Sequence, residues 1–513
     1  MTMGVRRLKC AFLLLFLLPW CGMQGQKLIT YEAGMGTRDR TDPDVWVLYR
    51  GVTAWHEGMT LRADSALLNT VRNDLMAFGN VSVEVSDTTV IFGDQLYYDG
   101  VARTADIWDD TVRMVDGRTL LRSDHLTYDR NTSVAAYDSW GITTNEGRSL
   151  SSRVGFYNSD LKIFDIYGGV VLSDTSMRLE TDTLNYDVEA EMAYFWSPTW
   201  LYTDSATVHS RRGTYDAGLR KARSVKSSEV HSGGRHLYCD TLDYDEPREF
   251  GRARGNVCII DSVNGVVSTG RYAETDQQRR LSLVTDSVLV RFAQRGEGDT
   301  AESDTLYLHA DTVFLANDTS RAIEWVAAYR HVKLFRSDAQ AMGDSMYYSA
   351  ADSSLRLFYD PVIWYNDYQA TADTVVVLHD TAGARQAFFS GGSFFVEQLD
   401  WEKYNQIKGR NTVVYFRDGS PHYADIAGNA ELTYHILEED AAGNRRLIGV
   451  NAGVGSDMRI YFKDNAPDRV VTMGSPDMHA YPLEKLPAEK ARLGGFRWYE
   501  EERPKCPEDV FRW

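Results

Sequence analysis

The sequence predicts an all-β protein assembled from two-stranded repeats of about 29 residues. Three observations predict it: a phrase that recurs at nearly constant spacing, period-two alternation between its copies, and turn residues in the gaps. The phrase is an Asp, an apolar residue two positions on, a Tyr four positions on, and often a closing Asp or Asn. It reads GDQLYYD from Gly93, SDHLTYD from Ser123, SRVGFYN from Ser152, TDTLNYD from Thr181, SRRGTYD from Ser210 and CDTLDYD from Cys239. The marker tyrosines Tyr98, Tyr128, Tyr157, Tyr186, Tyr215 and Tyr244 are spaced 30, 29, 29, 29 and 29 residues apart. Self-similarity at such a period marks a stacked, quasi-one-dimensional architecture.

An earlier copy, ADSALLN from Ala63, carries Leu68 in the Tyr place. Later copies read ADTVFLAN from Ala310, GDSMYYS from Gly343 and ADTVVVL from Ala372, with looser ones around Tyr415 and Tyr461. After each marker come polar turn residues, then a strand-like run often entered through Gly: FGNVSVEV from Phe78, YGGVVL from Tyr167, RGNVCII from Arg254. Val81, Val83 and Val85 alternate with Ser82 and Glu84, the pattern of a half-buried strand. β-Branched and aromatic residues fill the runs; Asp, Asn, Gly, Ser and Thr fill the gaps. Each period therefore holds two strands and two turns, with strands of about 8 to 10 residues, some 26 to 33 Å long. One alternate set of side chains faces a shared interior lined by Leu, Val, Ile and Phe, with the tyrosines at a fixed height. Between residues 30 and 480 no long amphipathic helix is visible, and the helix-like run Leu483 to Leu493 is interrupted by Pro487.

Four segments follow from this reading: residues 1–25 as a secretory signal peptide, 26–270 as regular repeats, 271–480 as less regular repeats, and 481–513 as a polar C-terminal tail. Arg6, Arg7 and Lys9 precede the apolar run Ala11 to Leu18, and Pro19 and the small residues Gly22 and Gly25 follow it, the layout of an export signal. No later stretch has 18 uninterrupted apolar residues, so no transmembrane helix is expected. The formal net charge is -18, and the first 25 residues carry only positive charges. So acidic a chain repels phosphate, which excludes a general nucleic-acid binder.

Cys239, Cys258 and Cys506 make no disulfide framework; a Cys239–Cys258 bond and two small buried hydrophobes are both open readings. The marker aspartates recur once per repeat. Glycoside hydrolysis needs one special acid pair, so these read as turn or strand-start residues. No zinc-ligand spacing, nucleophile elbow or phosphate-binding loop is present, and no enzyme, metal or cofactor is expected.

The phrase D-x-L-x-Y-D, followed some 10 to 15 residues later by A-x-G-N-V or Y-G-G-V, resembles the OstA-like family of periplasmic lipopolysaccharide-transport proteins. The resemblance is clearest from about residue 45 to 270 and continues less regularly to about 480. It implies an elongated β-jellyroll folded into an open, taco-like trough whose interior shields the acyl chains of lipopolysaccharide during transport to the outer membrane. Val81, Val83, Val85, Leu96, Leu126, Val170, Leu172, Leu184, Val257 and Ile259 are the candidate lipid-binding residues. Implied partners are lipopolysaccharide, through its lipid A acyl chains, and other transport jellyrolls at the inner and outer membranes, joined by edge-strand pairing. Open edges also permit head-to-tail self-association. The implied location is the periplasm, in association with the outer membrane. The chain departs from the family in carrying many more repeats than a single bridging subunit and in lacking a barrel-forming half. Two rival folds carry different functions: a parallel β-helix that binds or cleaves polysaccharide, and an outer-membrane β-barrel component.

Overall fold

The computed structural model describes residues 27–293, 305–380, 383–399, 402–439 and 445–513; the signal peptide expected over residues 1–25 lies outside them. The described residues form two compact units, the first made of those up to Glu146 with Arg153–Leu161, and the second of those in Gly147–Ser152 and Lys162–Trp513. The 29-residue period does not mark this division.

The first unit is a meander. Strands β1 (Thr30–Arg38), β2 (Val45–His56), β3 (Met59–Asn69), β4 (Asp74–Glu84), β5 (Thr89–Asp99), β6 (Thr104–Asp116) and β7 (Thr119–Asp129) each pair with the next, antiparallel. The all-β class and the two-stranded repeat are as the sequence predicts. Antiparallel pairing excludes the parallel β-helix.

A flat strand of 11 residues would run about 37 Å. Yet His56, at the end of β2 on one edge of the meander, touches Tyr98, near the end of β5 on the opposite edge, Nδ1 to Oη 2.6 Å. The sheet must therefore fold back on itself. It folds at mid-strand, where the pairing register slips: Arg62/Ser65 in β3, Phe78/Val81 in β4, Phe92/Gln95 in β5 and Trp108/Val112 in β6. Alternate strands cross this corner through two successive residues of positive φ, Arg50–Gly51 in β2 and Gly79–Asn80 in β4. A β-bulge of this kind bends a strand without ending its pairing.

The corner explains the first Asp of the phrase. Asp64 sits mid-strand and accepts a hydrogen bond from Asn80 Nδ2 at 2.8 Å; Asp240 does the same for Asn256 at 2.9 Å in the second unit. A Cβ on Gly79, whose φ is +75°, would fall 2.6 Å from Asp64 Oδ2. These aspartates are thus corner residues, not strand starts. The closing Asp or Asn has a different task. Asp99 Oδ1 accepts from the N–H groups of Val101 and Ala102 at 2.8 and 2.9 Å, an Asx turn that reverses the chain.

The second unit repeats the plan, and several of its strands break outright at the corner. Met192–Phe195 and Thr199–Thr203 are the two halves of one such strand, pairing with opposite halves of Met177–Asp187. Gly255–Asn256, Arg330–His331 and Gly428–Asn429 repeat the positive-φ pair. Cys239 is buried on the inner face, whereas Cys258 pairs with Tyr238 on the outer face, so the two cannot bond; both are free.

Residues 482–513 are not a free tail. They cross the outer face of one half of the folded sheet in the second unit, visiting its strands in reverse order. Gln406 accepts from the Leu493 N–H at 2.9 Å and donates to the Ala491 carbonyl at 2.8 Å. Gln369 treats Tyr499 N–H and the Arg497 carbonyl likewise, at 2.7 and 2.8 Å. Gln340 accepts from Arg503 Nε at 2.8 Å, and Lys333 Nζ donates to the Glu502 carbonyl at 2.9 Å. Leu493, Phe496 and Trp498 pack on Phe394, Val396 and Tyr404. Helical turns in the segment are short, Leu483–Lys485, Ala488–Ala491 and Pro507–Phe511, as Pro487 predicts.

Candidate functional site

Folding a sheet at mid-strand creates an inner face, a corner, and a mouth where the two rims meet. In the first unit, the turns 57–58, 85–88 and 117–118 form one rim and the turns 70–73, 100–103 and 130–133 the other. The inner face is apolar on both walls, because period-two alternation puts Leu61, Ala66, Leu75, Ala77, Ile91, Ile107, Met114 and Leu121 there, all buried.

The structure brings each of the ten candidate residues to the inner face of its own unit. Val81, Val83, Leu96 and Leu126 of the first unit are buried, as is Val85 just past β4. Val170, Leu172, Leu184, Val257 and Ile259 are buried on the inner face of the second unit. Nine of them are at most 4% exposed, so side chains fill the interior at those points; Ile259, at 8%, is the loosest. Ile259 lines a small hollow of about 20 Å³ with Val266, Ser268, Val284, Leu315 and Ile323, beneath Arg235 and Asn317.

The marker tyrosines also point inward, at 0 to 5% exposure, and they stand at the mouth. Each rises from one wall, and most hydroxyls reach the opposite rim. In the first unit, His56 Nε2 lies 2.9 Å from the Lys27 carbonyl, which can only accept. Nε2 therefore carries the proton and Nδ1 accepts from the Tyr98 hydroxyl. Burial pushes the Tyr98 hydroxyl up to about 12, so it stays a donor at any physiological pH. The Tyr157 hydroxyl donates to Asp116 Oδ2 at 2.7 Å, and Thr88 and Thr89 donate to the other oxygen at 3.1 Å each. Arg103 adds a contact to Glu57 at 3.3 Å. Tyr128 differs: its hydroxyl lies 3.4 Å from Ser159 on its own rim.

In the second unit Arg148 bonds the Tyr186 hydroxyl and pairs with Glu191 at 2.6 Å. The Tyr244 hydroxyl meets Ser205 Oγ at 3.0 Å. The Tyr215 hydroxyl is buried without a partner among the described residues, and burial raises its pKa. Farther on, Arg235 bonds Asn317, and Arg321 Nη1 donates to the Gly233 carbonyl at 2.6 Å. The mouth is thus a seam of side-chain contacts between two rims. Periodicity alone places the tyrosines inside but does not reveal their partners; the choice of Tyr over Phe at a buried, repeating position is the signal that a polar atom lies opposite.

Among the described residues no cluster of His, Cys, Asp and Glu could hold a metal ion, and no helix is long and apolar enough to cross a membrane.

An apolar trough bent from a repeating antiparallel sheet, with a polar seam along its mouth, defines the class. The profile of a family described as OstA-like protein matches residues 28–168 and 155–225. This stretch is OstA-like, in agreement with the resemblance read from the repeated phrase. A similar solved structure is the LptA-homologous periplasmic component LptH of the lipopolysaccharide transport device from Pseudomonas aeruginosa. It is 16% identical, with 23% of this chain and 78% of that one covered and a TM-score of 0.19. No curated protein matches.

Proposed function

We propose that the protein is a non-enzymatic carrier that shields the acyl chains of lipopolysaccharide in the periplasm on their way to the outer membrane. The observation that carries this reading is the inner face: a predominantly apolar surface on both walls of each unit, in a chain whose residues 28–168 and 155–225 match an OstA-like family. Each buried CH₂ of an acyl chain contributes about 0.8 kcal/mol, so several chains lying along such a wall offset the loss of the wall's own side-chain contacts. The sugar and phosphate head stays in water at the mouth. Near-equal repeats give no deep trap, which suits a lipid that must be passed on. Edge strands, such as β1, supply pairing surfaces for neighbouring jellyrolls, and head-to-tail self-association uses the same surfaces.

Photo-crosslinking to lipopolysaccharide tests the reading. Probes at Val83 and Leu184 should capture the lipid, and probes at the outward neighbours Ser82 and Asn185 should not. Labelling spread evenly over both faces rejects the trough.

A further inference from the structure

The seam poses a problem for any apolar ligand. Inner side chains fill the trough, and polar contacts close its mouth, so a lipid tail finds no open channel. Those contacts are all made by side chains or by side chains to carbonyls: Tyr244 to Ser205, Arg148 to Tyr186, Arg321 to the Gly233 carbonyl. Such contacts are individually weak and can part without disturbing a strand. The corner opposite is built from bulges, which bend a sheet while keeping it paired.

One place in the second unit is different. The row of regularly spaced tyrosines is interrupted after Tyr244: pairing carries its register through Gly251 to Thr275, which pairs with Ser282. Two small inner residues, Ser268 and Ser282, stand nearby. Here, where no tyrosine fills the mouth, lies the hollow floored by Ile259, Val284 and Leu315, with Arg235 at its lip. Arg235 is held there by Asp261, at 3.1 Å, and by Asn317.

We propose that the mouth of the second unit is a lateral gate latched by its tyrosines, and that the hollow beneath Arg235 is where an anionic amphiphile first inserts a tail. The head group exchanges with Asp261 and Asn317 for the Arg235 guanidinium, the tail displaces no aromatic ring, and the seam then parts toward Tyr244. This deepens the carrier reading and rests on it.

A lysophosphatidylglycerol whose single chain carries a diazirine tests the gate on the full chain, with adducts mapped by mass spectrometry over time. Adducts should appear first on Ile259, Val284 and Leu315, and later on Leu184 and Leu201. Tyr244→Phe removes one hydroxyl and should speed the later adducts about fivefold, the worth of one hydrogen bond. Arg235→Gln should slow the first adducts for this probe and not for a zwitterionic lysophosphatidylcholine. Ile259→Phe, which fills the hollow conservatively, should slow both. Simultaneous labelling of all five positions overturns the gate while lipopolysaccharide crosslinking at Leu184 still upholds the carrier. Failure of both lipids to label the inner face overturns carrier and gate together.

Discussion

The outer face of the folded sheet is treated differently in two regions. Across the first unit it stays in water: Trp55 and Ile142 are exposed, and Arg62 faces Glu84 in a solvent-exposed pair. In the later strands of the second unit, residues 482–513 cover it. Both faces of a strand are then buried, and alternation disappears. Val332, Lys333 and Leu334 are consecutive and all buried, as are Asn405 and Gln406. The sheet construction is the same; what changes is how many faces must exclude water. A one-faced sheet needs period two, and a two-faced one does not.

The widest test of this comparison is a charge on the inner face. Val83→Glu should unfold the first unit, because an unpaired buried carboxylate costs several kcal/mol, roughly 3 to 5. Arg62→Ala on the outer face should cost less than about 1 kcal/mol. Chemical denaturation of the two variants checks the difference, and similar midpoints would refute the one-faced description.

A smaller effect is expected where the outer face is covered. Gln406→Leu keeps bulk but leaves the Leu493 N–H and the Ala491 carbonyl without partners. An unsatisfied buried group costs about 1 to 3 kcal/mol. Hydrogen exchange should rise in residues 488–499 and stay unchanged in β2 to β5. The same substitution logic at Gln369 should loosen Tyr499 next.

These two regions also show what the sequence makes legible. The period, the strand count per repeat and the inward set Val81 to Ile259 were all readable, because a one-faced strand writes its orientation into every second residue. The corners were not. Gly79–Asn80 and Gly255–Asn256 use the residues that turns use, so a bend within a paired strand looks like the start of a new one. The corner task of Asp64 depends on Asn80, 16 residues away on the next strand, and local pattern does not connect them. The docking of residues 482–513 was hidden for the same reason on a longer scale. Its partners Gln406, Gln369 and Gln340 lie 87, 130 and 163 residues distant, and a charged, Pro-containing segment reads as a tail until those amides are found opposite it.

The corner can be probed in the regular region alone. Gly79→Ala places a methyl group against Asp64 and asks Ala to hold φ +75°, a combination worth about 1 to 2 kcal/mol. Asp64→Ala in the same background removes the clash and the Asn80 bond together. The double variant should therefore be destabilised by less than the sum of the singles. Strict additivity would mean that Asp64 and Gly79 do not meet at the corner.

The mildest expected effect is a pH dependence confined to the covered region. His309 lies on the outer face beneath Phe511, ring centroids 4.6 Å apart, and Nδ1 donates to the Val288 carbonyl at 2.7 Å. Burial holds its pKa below the ordinary histidine value, aided by the nearby charge of Lys333 and opposed by that hydrogen bond and Asp311. A histidine whose folded pKa is lowered favours the neutral form in the fold. Its contribution is complete above the unfolded value near 6.5 and is lost as pH falls from there toward the folded value. Between pH 7.5 and 5.5, protection of residues 507–513, corrected for intrinsic exchange, should fall by a small factor while β2 to β5 hold theirs. His309→Gln keeps a donor for Val288 and cannot titrate, so the loss should vanish; if it persists, His309 does not set the acid sensitivity of the docked segment.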